Sequence, residues 1–444
     1  MTNENIAAIS TALGAAGVAV IRISGDSPLK VAEKIFKPIG KTPVSRFEPN
    51  KMYVGELNAD AFCDRCMCVY FKAPKSFTGE DVVEFHTHGG TAIVKGVLSK
   101  ILASGARLAE RGEFTKRAFI NGKMSLSSAE GLIDMINSET ESGVRAGYAL
   151  YREKLTEKVN AMQNKLLDAI SRIDVDMDFP EEDIPEISEK AVRDDLKDVL
   201  TEVESLVSSY KTGRVLKNGV KIAIAGKPNT GKSSLLNALL QYDKAIVSGV
   251  AGTTRDVVEG ALDYNGVRFN FFDTAGIRET SDEVEHIGVA LSEKVARESD
   301  AVLFVTDAGD FNEQDEKIYS SVKRDNCIFV VNKTDVSDRK IDGADIYISA
   351  KTGENVENLK ELLYERTVGT VDTSADYLCE ERHLAALKAT QASLVSALNA
   401  LGKEPLDILS IDVKAAWEKL GEITGKTATE EIISNIFSKF CVGK

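Results

Sequence analysis

No apolar run in this chain approaches the roughly 18–20 residues of a membrane span. Its first residues also lack the basic-then-apolar pattern of a secretory signal. A cytoplasmic protein without a membrane association is the expectation. A basic excess is missing too: 55 Lys and Arg stand against 69 Asp and Glu, for a formal net charge of −14. That argues against a broadly basic nucleic-acid coat, because phosphate binding needs clustered Lys and Arg. A local basic patch or a basic partner remains compatible with it. Cysteine is sparse, with Cys63, Cys66, Cys68, Cys327, Cys379 and Cys441. Cys63 and Cys66 form one C-x-x-C, and the second ligand pair that a structural zinc site needs would have to come from His86 and His88. The plainer reading places these cysteines on a strand running into Val69-Tyr70-Phe71. A disulfide framework does not suit a long, cytosol-like chain.

What is present is enough apolar sequence for several cores. The 444 residues are 43% hydrophobic, and at roughly 100–200 residues per domain they suggest two to four domains. Residues 1–118 read as mixed α+β, with strands at Val18–Ile23, Met52–Leu57, Met67–Phe71 and Val82–Phe85 and a helix over Gly90–Ala103. Residues 119–212 change to helical spacing, over Ser125–Asn137, Glu141–Ile173 and Ser188–Tyr210, interrupted by Pro180 and Pro185 in an acidic stretch. Residues 213–372 alternate strand and helix. Their apolar strands at Val220–Ala225, Phe269–Phe272, Ala301–Thr306, Cys327–Val331 and Ile346–Ile348 imply a mostly parallel sheet covered on both faces. Residues 373–444 return to helix, over Ala375–Leu401 and Leu406–Phe440. An α/β module therefore interrupts helical sequence. The two helical parts are expected to pack as one discontinuous domain, since each alone would expose an apolar stripe.

The α/β segment carries the chemistry. Gly226-Lys227-Pro228-Asn229-Thr230-Gly231-Lys232-Ser233, continuing to Ser234, matches G-x-x-x-x-G-K-[ST] between a strand and a helix. There the backbone N–H groups can wrap phosphates at a helix N-terminus. Lys232 is expected to reach the β- and γ-phosphates, and the Ser233 hydroxyl to bind Mg²⁺. Gly252-Thr253-Thr254-Arg255-Asp256, preceded by Ser248-Gly249-Val250-Ala251, lies in a loop after the first helix, with Thr254 placed to complete the Mg²⁺ ligation. Asp273-Thr274-Ala275-Gly276 ends a strand, with Asp273 near the metal and the Gly276 amide near the γ-phosphate. Asn332-Lys333-Thr334-Asp335 and Ser349-Ala350-Lys351 end two further strands. A carboxylate at Asp335 accepts both guanine N1–H and the exocyclic amine, whereas adenine would leave it unpaired. Each motif alone is weak, but the ordered set at strand ends is specific for a Ras-like GTPase. Ile277 stands where Ras-type proteins carry a water-orienting Gln. Arg255, Arg278 and Asp282-Glu283-Val284-Glu285 are the candidates to replace that function.

Three further stretches are Ala73–Glu84 leading to His88-Gly89-Gly90, Gly112-Glu113-Phe114-Thr115-Lys116-Arg117-Ala118-Phe119-Ile120-Asn121-Gly122-Lys123, and the terminal Phe440-Cys441-Val442-Gly443-Lys444. With the inserted GTP module they resemble the MnmE (TrmE) family of tRNA-modification GTPases over essentially the whole chain. The resemblance implies a (carboxymethyl)aminomethyl group added to C5 of the wobble uridine, position 34, of certain tRNAs. It implies a flavin-dependent partner, MnmG (GidA), in a heterotetramer, and homodimerisation through the N-terminal domain. It implies a 5-formyl- or methylene-tetrahydrofolate held by Arg22, Glu84, Lys123 and Lys444. It further implies GTP hydrolysis activated by K⁺ at Asn229, Ser248, the Val250 carbonyl and Thr253, with Glu285, Lys232 and Thr254 in catalytic roles. Where the family usually has Pro before Gly-Glu-Phe-Thr, this chain has Arg111. The competing expectation is a GTP-controlled RNA or ribosome assembly factor with no modification chemistry. Such relatives usually carry an extra RNA-binding module, which this sequence does not display.

Overall fold

The computed structural model describes residues 4–178, 189–241, 260–273, 297–369 and 377–444. The chain divides into two compact units, one of residues 1–133, 149–203 and 385–444, the other of residues 134–148 and 204–384.

The first unit begins with a sheet built from β1 (Ile6–Ile9), β2 (Ala19–Gly25), β3 (Phe36–Pro38), β4 (Met52–Asn58), β5 (Cys63–Phe71), β6 (Asp81–Thr87) and β7 (Arg107–Leu108). Its order is β3-β4-β5-β6-β2-β1-β7, antiparallel apart from the β1–β7 edge. Helices α1 (Pro28–Ile35) and α2 (Thr91–Ala103) cover one face. They bury Val31, Ile35, Val94, Val97 and Ile101 against Ile21, Ile23, Val83 and Phe85. Each expected strand of this region is found, and Cys63–Cys68 lie on β5 as read. Cys66 and Cys68 are buried, and burial pushes the Cys66 thiol up to about 12 and Cys68 upward as well. Among the described residues no group of three or more His, Cys, Asp or Glu is placed to hold a metal ion. The short strands β1, β3 and β7, and the helices α1 and α3 (Glu113–Ile120), were not foreseen. They are too short to show a period.

Helices α4 (Leu126–Asn137), α5 (Glu141–Tyr151), α6 (Lys154–Asp178) and α7 (Glu189–Asn218) follow. The single helix expected over Glu141–Ile173 is two. The chain turns at Glu153, whose φ of +62° no helix tolerates. The turn is fixed by local partners: Ser128 Oγ donates to the Tyr151 carbonyl at 2.6 Å, and the Ser125 amide donates to Glu153 Oε1 at 2.9 Å. Helix α7 continues beyond the expected Tyr210 to Asn218, directly before the next strand.

The second unit holds a sheet of β8 (Val220–Ala225), β9 (Gly260–Tyr264), β10 (Val267–Asp273), β11 (Ala301–Asp307), β12 (Cys327–Asn332) and β13 (Ile346–Tyr347), in the order β13-β12-β11-β8-β10-β9. All pairs are parallel except β9–β10. The helices α8 (Lys232–Gln241), α9 (Glu313–Val322) and α10 (Val356–Thr367) flank it. Two apolar clusters, one with Leu235, Leu239, Leu359 and Leu363 and one with Val322, Phe304 and Phe329, cover opposite faces. That is the reason β8, β11 and β12 read as continuous apolar runs rather than alternating ones.

The chain closes with α11 (Glu381–Ala400), α12 (Leu406–Thr424) and α13 (Glu430–Ser438). The helix expected over Leu406–Phe440 is also two, because the Thr429 side chain accepts the Ile432 amide and caps a new start. In the first unit α12 lies along α6, where Gln163 Nε2 donates to the Trp417 carbonyl at 3.0 Å and Ser410 Oγ to Asp174 at 3.3 Å. Helix α13 brings Ile436, Phe437 and Phe440 onto Leu126, Ala129 and Phe119. The expected packing of C-terminal on middle helices is thereby seen within that unit. No described helix is long and apolar enough to cross a membrane.

Candidate functional site

In the second unit, β8 is the point at which the strand order reverses, with β10 on one side and β11 on the other. A crevice outside the carboxyl ends of strands opens at such a switch point. The loop 226–233 occupies that position. Gly226 has φ +146° and Gly231 φ +92°; a Cβ on them would lie 2.1 Å from the Val305 carbonyl oxygen and 2.3 Å from Asn332 Nδ2. Only glycine fits either position. Asn229 adopts φ +63°, a left-handed conformation that Asn tolerates better than most residues.

The Lys232 side chain is buried in the loop, with Nζ donating to the carbonyls of Gly226 at 3.0 Å and Lys227 at 2.6 Å. Thr230 Oγ1 also donates to the Lys227 carbonyl, at 3.0 Å. The ammonium thus lies against two carbonyls of the loop, beside the N-terminus of α8, which begins at Lys232 and carries Ser233 and Ser234 in its first turn. Both features favour an anion.

The neighbouring strand ends converge on this loop. Asn332, buried at the end of β12, donates from Nδ2 to the Thr230 carbonyl at 2.9 Å and accepts the Ala350 amide at 3.0 Å. Lys333 Nζ donates to the Asn229 carbonyl at 2.8 Å and to Asp307 at 2.6 Å. Burial alone would raise the Asp307 carboxyl; the hydrogen bonds from Lys333 and the Gly309 amide outweigh it and hold it below its usual range. Ser349 Oγ donates to Asp335 Oδ1 at 2.7 Å. The residues read as phosphate loop, base reader and last loop, with Lys351 next in chain, therefore meet at one edge of one sheet. Asp273 ends β10 beside β8, opposite Ile224 in register. Ser248, Gly249, Val250, Ala251, Gly252, Thr253, Thr254, Thr274, Ala275, Gly276 and Glu285 lie outside the described residues, as do Ile277, Arg255 and Arg278.

The first unit brings together a second set. Register pairs Arg22 on β2 with Glu84 on β6, and Arg22 Nε donates to Glu84 Oε1 at 2.7 Å. The guanidinium lies 5.0 Å from the Phe77 ring centre and 5.6 Å from that of Phe114. Burial pushes the Glu84 carboxyl up, but the hydrogen bond from His86 and the charge of Arg22 prevail and lower it. Lys123 Nζ donates to the Pro74 carbonyl at 3.0 Å, in the loop that carries Phe77. The C-terminal tetrapeptide folds back on β1: Ser10 Oγ donates to the Gly443 carbonyl at 3.1 Å, and Val442 bridges Arg111. This places Lys444 by the end of β1, whose Ala8 is paired with Arg22.

Sequence reading missed what supports that arrangement. Glu113 accepts two hydrogen bonds from Arg107, at 2.8 and 2.6 Å, and one from Arg117, while Arg117 also holds Glu80. Much of Gly-Glu-Phe-Thr-Lys-Arg is thus a buried scaffold, with Phe114 against Ile6 and Ala8. Under the phosphate loop it missed Lys227 paired with Asp315. Asn312-x-x-Asp315 is legible as a capping box, but nothing in the sequence joins it to Lys227.

Residues 5–123 match a family described as GTP-binding protein TrmE N-terminus, and residues 126–441 match the MnmE helical domain. The chain belongs to the MnmE family of tRNA modification GTPases. It is 39% identical over 461 residues to the protein of that name from Desulforamulus reducens, and 39% identical to that from Carboxydothermus hydrogenoformans, with all of both chains covered in each case. Among solved structures, Aquifex aeolicus Era matches 39% of this chain and 66% of its own at 29% identity, with a TM-score of 0.28. The fold is a P-loop GTPase module set into a discontinuous helical domain, preceded by the family's N-terminal α+β domain.

Proposed function

We propose that the chain is a K⁺-activated GTPase that, together with the flavoprotein MnmG, installs a (carboxymethyl)aminomethyl group on C5 of the wobble uridine of certain tRNAs. The observation that carries the nucleotide half is the convergence of Lys232, Asn332, Lys333, Asp335 and Ser349 at one sheet edge. Asp335 selects guanine, and the loop amides with Lys232 hold the phosphates. Ser233 and Thr254 would hold Mg²⁺, which would supply positive charge to the bound phosphates. Asn229, Ser248, the Val250 carbonyl and Thr253 would hold a K⁺ ion, which would supply positive charge where other GTPases use an arginine finger. Glu285 positions the attacking water in place of the residue that Ile277 cannot supply.

The one-carbon half rests on Arg22 and Glu84, a paired cation and anion flanked by Phe77 and Phe114. Such a pair offers donors and acceptors to a pterin ring, and Lys123 and Lys444 offer charge to an acidic tail. That chemistry fits a tetrahydrofolate, bound where the N-terminal domain forms its homodimer. The heterotetramer with MnmG and a cytoplasmic location follow from the same family reading. An assembly-factor role does not account for full-length similarity that includes the N-terminal and helical domains. Mass spectrometry of tRNA nucleosides from a strain lacking this chain tests the proposal. Loss of the modified wobble uridine is expected, and its persistence would reject the reading.

A further inference from the structure

The phosphate loop contains a second lysine, whose side chain is engaged by acidic partners. The Lys227 side chain is buried with Nζ 2.6 Å from Asp315 and 3.3 Å from Asp310 Oδ2, and it donates to the Asp310 carbonyl at 2.8 Å. These three partners match the three protons of an ammonium. Asp315 is fully buried at the start of α9, where it also accepts Thr306 Oγ1 and the Asn312 amide, each at 3.0 Å. Lys227 is therefore held at both ends. Its side chain is pinned to the segment that leaves β11, and its carbonyl receives the Lys232 ammonium and the Thr230 hydroxyl. On the far side of the same loop, Lys333 repeats the pattern, joining the Asn229 carbonyl to Asp307 of that same β11 exit.

We infer that the segment Asp307–Asp315 is a brace that pre-forms the phosphate loop, and that Asp315 with Lys227 is a positioning pair setting affinity for guanine nucleotides. The inference rests on the proposed GTP reading and extends it. Backbone amides bind a phosphate only when they converge. Ordering a loose loop at the moment of binding costs conformational entropy that a preorganised loop has already lost. Neutralised by Asp315, Lys227 adds little net charge at the phosphates, so it acts through loop geometry rather than attraction.

The test is nucleotide titration of the full chain with GTP and with GDP, alongside thermal melting. Lys227→Met alone leaves Asp315 with an uncompensated buried charge and risks unfolding. The double variant Lys227→Met/Asp315→Asn removes both charges together, so that no buried charge is left unpaired. It is expected to bind both nucleotides about tenfold more weakly, the scale of one lost charged hydrogen bond. KM should rise more than kcat falls, and Lys227→Arg, which keeps the pairing, should retain most of the affinity. A folded double variant with unchanged affinity, or a loss in kcat alone, overturns the inference. Failure of the unmodified chain to bind GTP would instead overturn the function on which it rests.

Discussion

Replacing Asp335 with Asn tests the base-reading assignment at a single atom. Ser349 Oγ donates to Asp335 Oδ1 at 2.7 Å and accepts the Thr352 amide at 3.2 Å. The hydroxyl has one proton, and Asp335 receives it. An Asn in this place keeps its carbonyl oxygen toward Ser349 and puts its amide nitrogen where Oδ2 stands. Guanine presents two donors to this side chain, so one acceptor becomes a donor facing a donor, and the remaining bond loses its charge. A hydrogen bond to a charged group contributes about 1.5–3 kcal/mol, and losing one while weakening another amounts to about 3–4 kcal/mol. GTP binding should then weaken roughly 10²–10³-fold. Xanthosine triphosphate carries an oxygen in place of the exocyclic amine, so the variant should bind it better than the unmodified chain does. Calorimetric titration with both nucleotides in the presence of Mg²⁺ measures this directly. A variant that still binds GTP within about threefold, a difference of under 1 kcal/mol, refutes the assignment of Asp335.

Three further outcomes are expected. Gly231→Ala places a methyl 2.3 Å from Asn332 Nδ2 at φ +92°; strain of about 1–3 kcal/mol should cost roughly fivefold to a hundredfold in GTP affinity, and an affinity unchanged by titration would contradict the loop geometry. Hydrolysis should run faster in KCl than in NaCl at equal ionic strength, and Asn229→Ala should abolish the difference; equal phosphate-release rates in both salts would remove the K⁺ site. Glu113 supplies a pH dependence. Its burial raises the carboxyl, but the hydrogen bonds from Arg107, the Glu110 amide and Arg117 outweigh this and lower it from 4.5 to about 2. A carboxyl depressed in the folded state stabilises fully above 4.5, and that contribution fades as pH falls toward about 2. The gap in urea stability between the unmodified chain and Glu113→Gln should be about 3 kcal/mol at neutral pH and should shrink through that window. A gap independent of pH would show that Glu113 does not titrate as described.

The sequence alone determined the GTP module, because its motifs are local. A glycine-rich loop between an apolar strand and a helix, and Asn332-Lys333-Thr334-Asp335 at a strand end, require only short-range chemistry. Long apolar strands and long amphipathic helices were legible for the same reason. The middle of the helical region was not. Both Glu141–Ile173 and Leu406–Phe440 keep an apolar period across a break that is set by Glu153 and by the cap at Thr429. Periodicity records burial, and burial continues past the turn. What only the tertiary structure decided are pairings between distant segments: Arg22 beside Glu84 through strand register, the C-terminal tetrapeptide returned to β1, and Lys227 locked to Asp315. Each joins residues whose own neighbours carry no sign of the partner, since an ion pair or a register is fixed by the packing of whole elements and not by the sequence around either end.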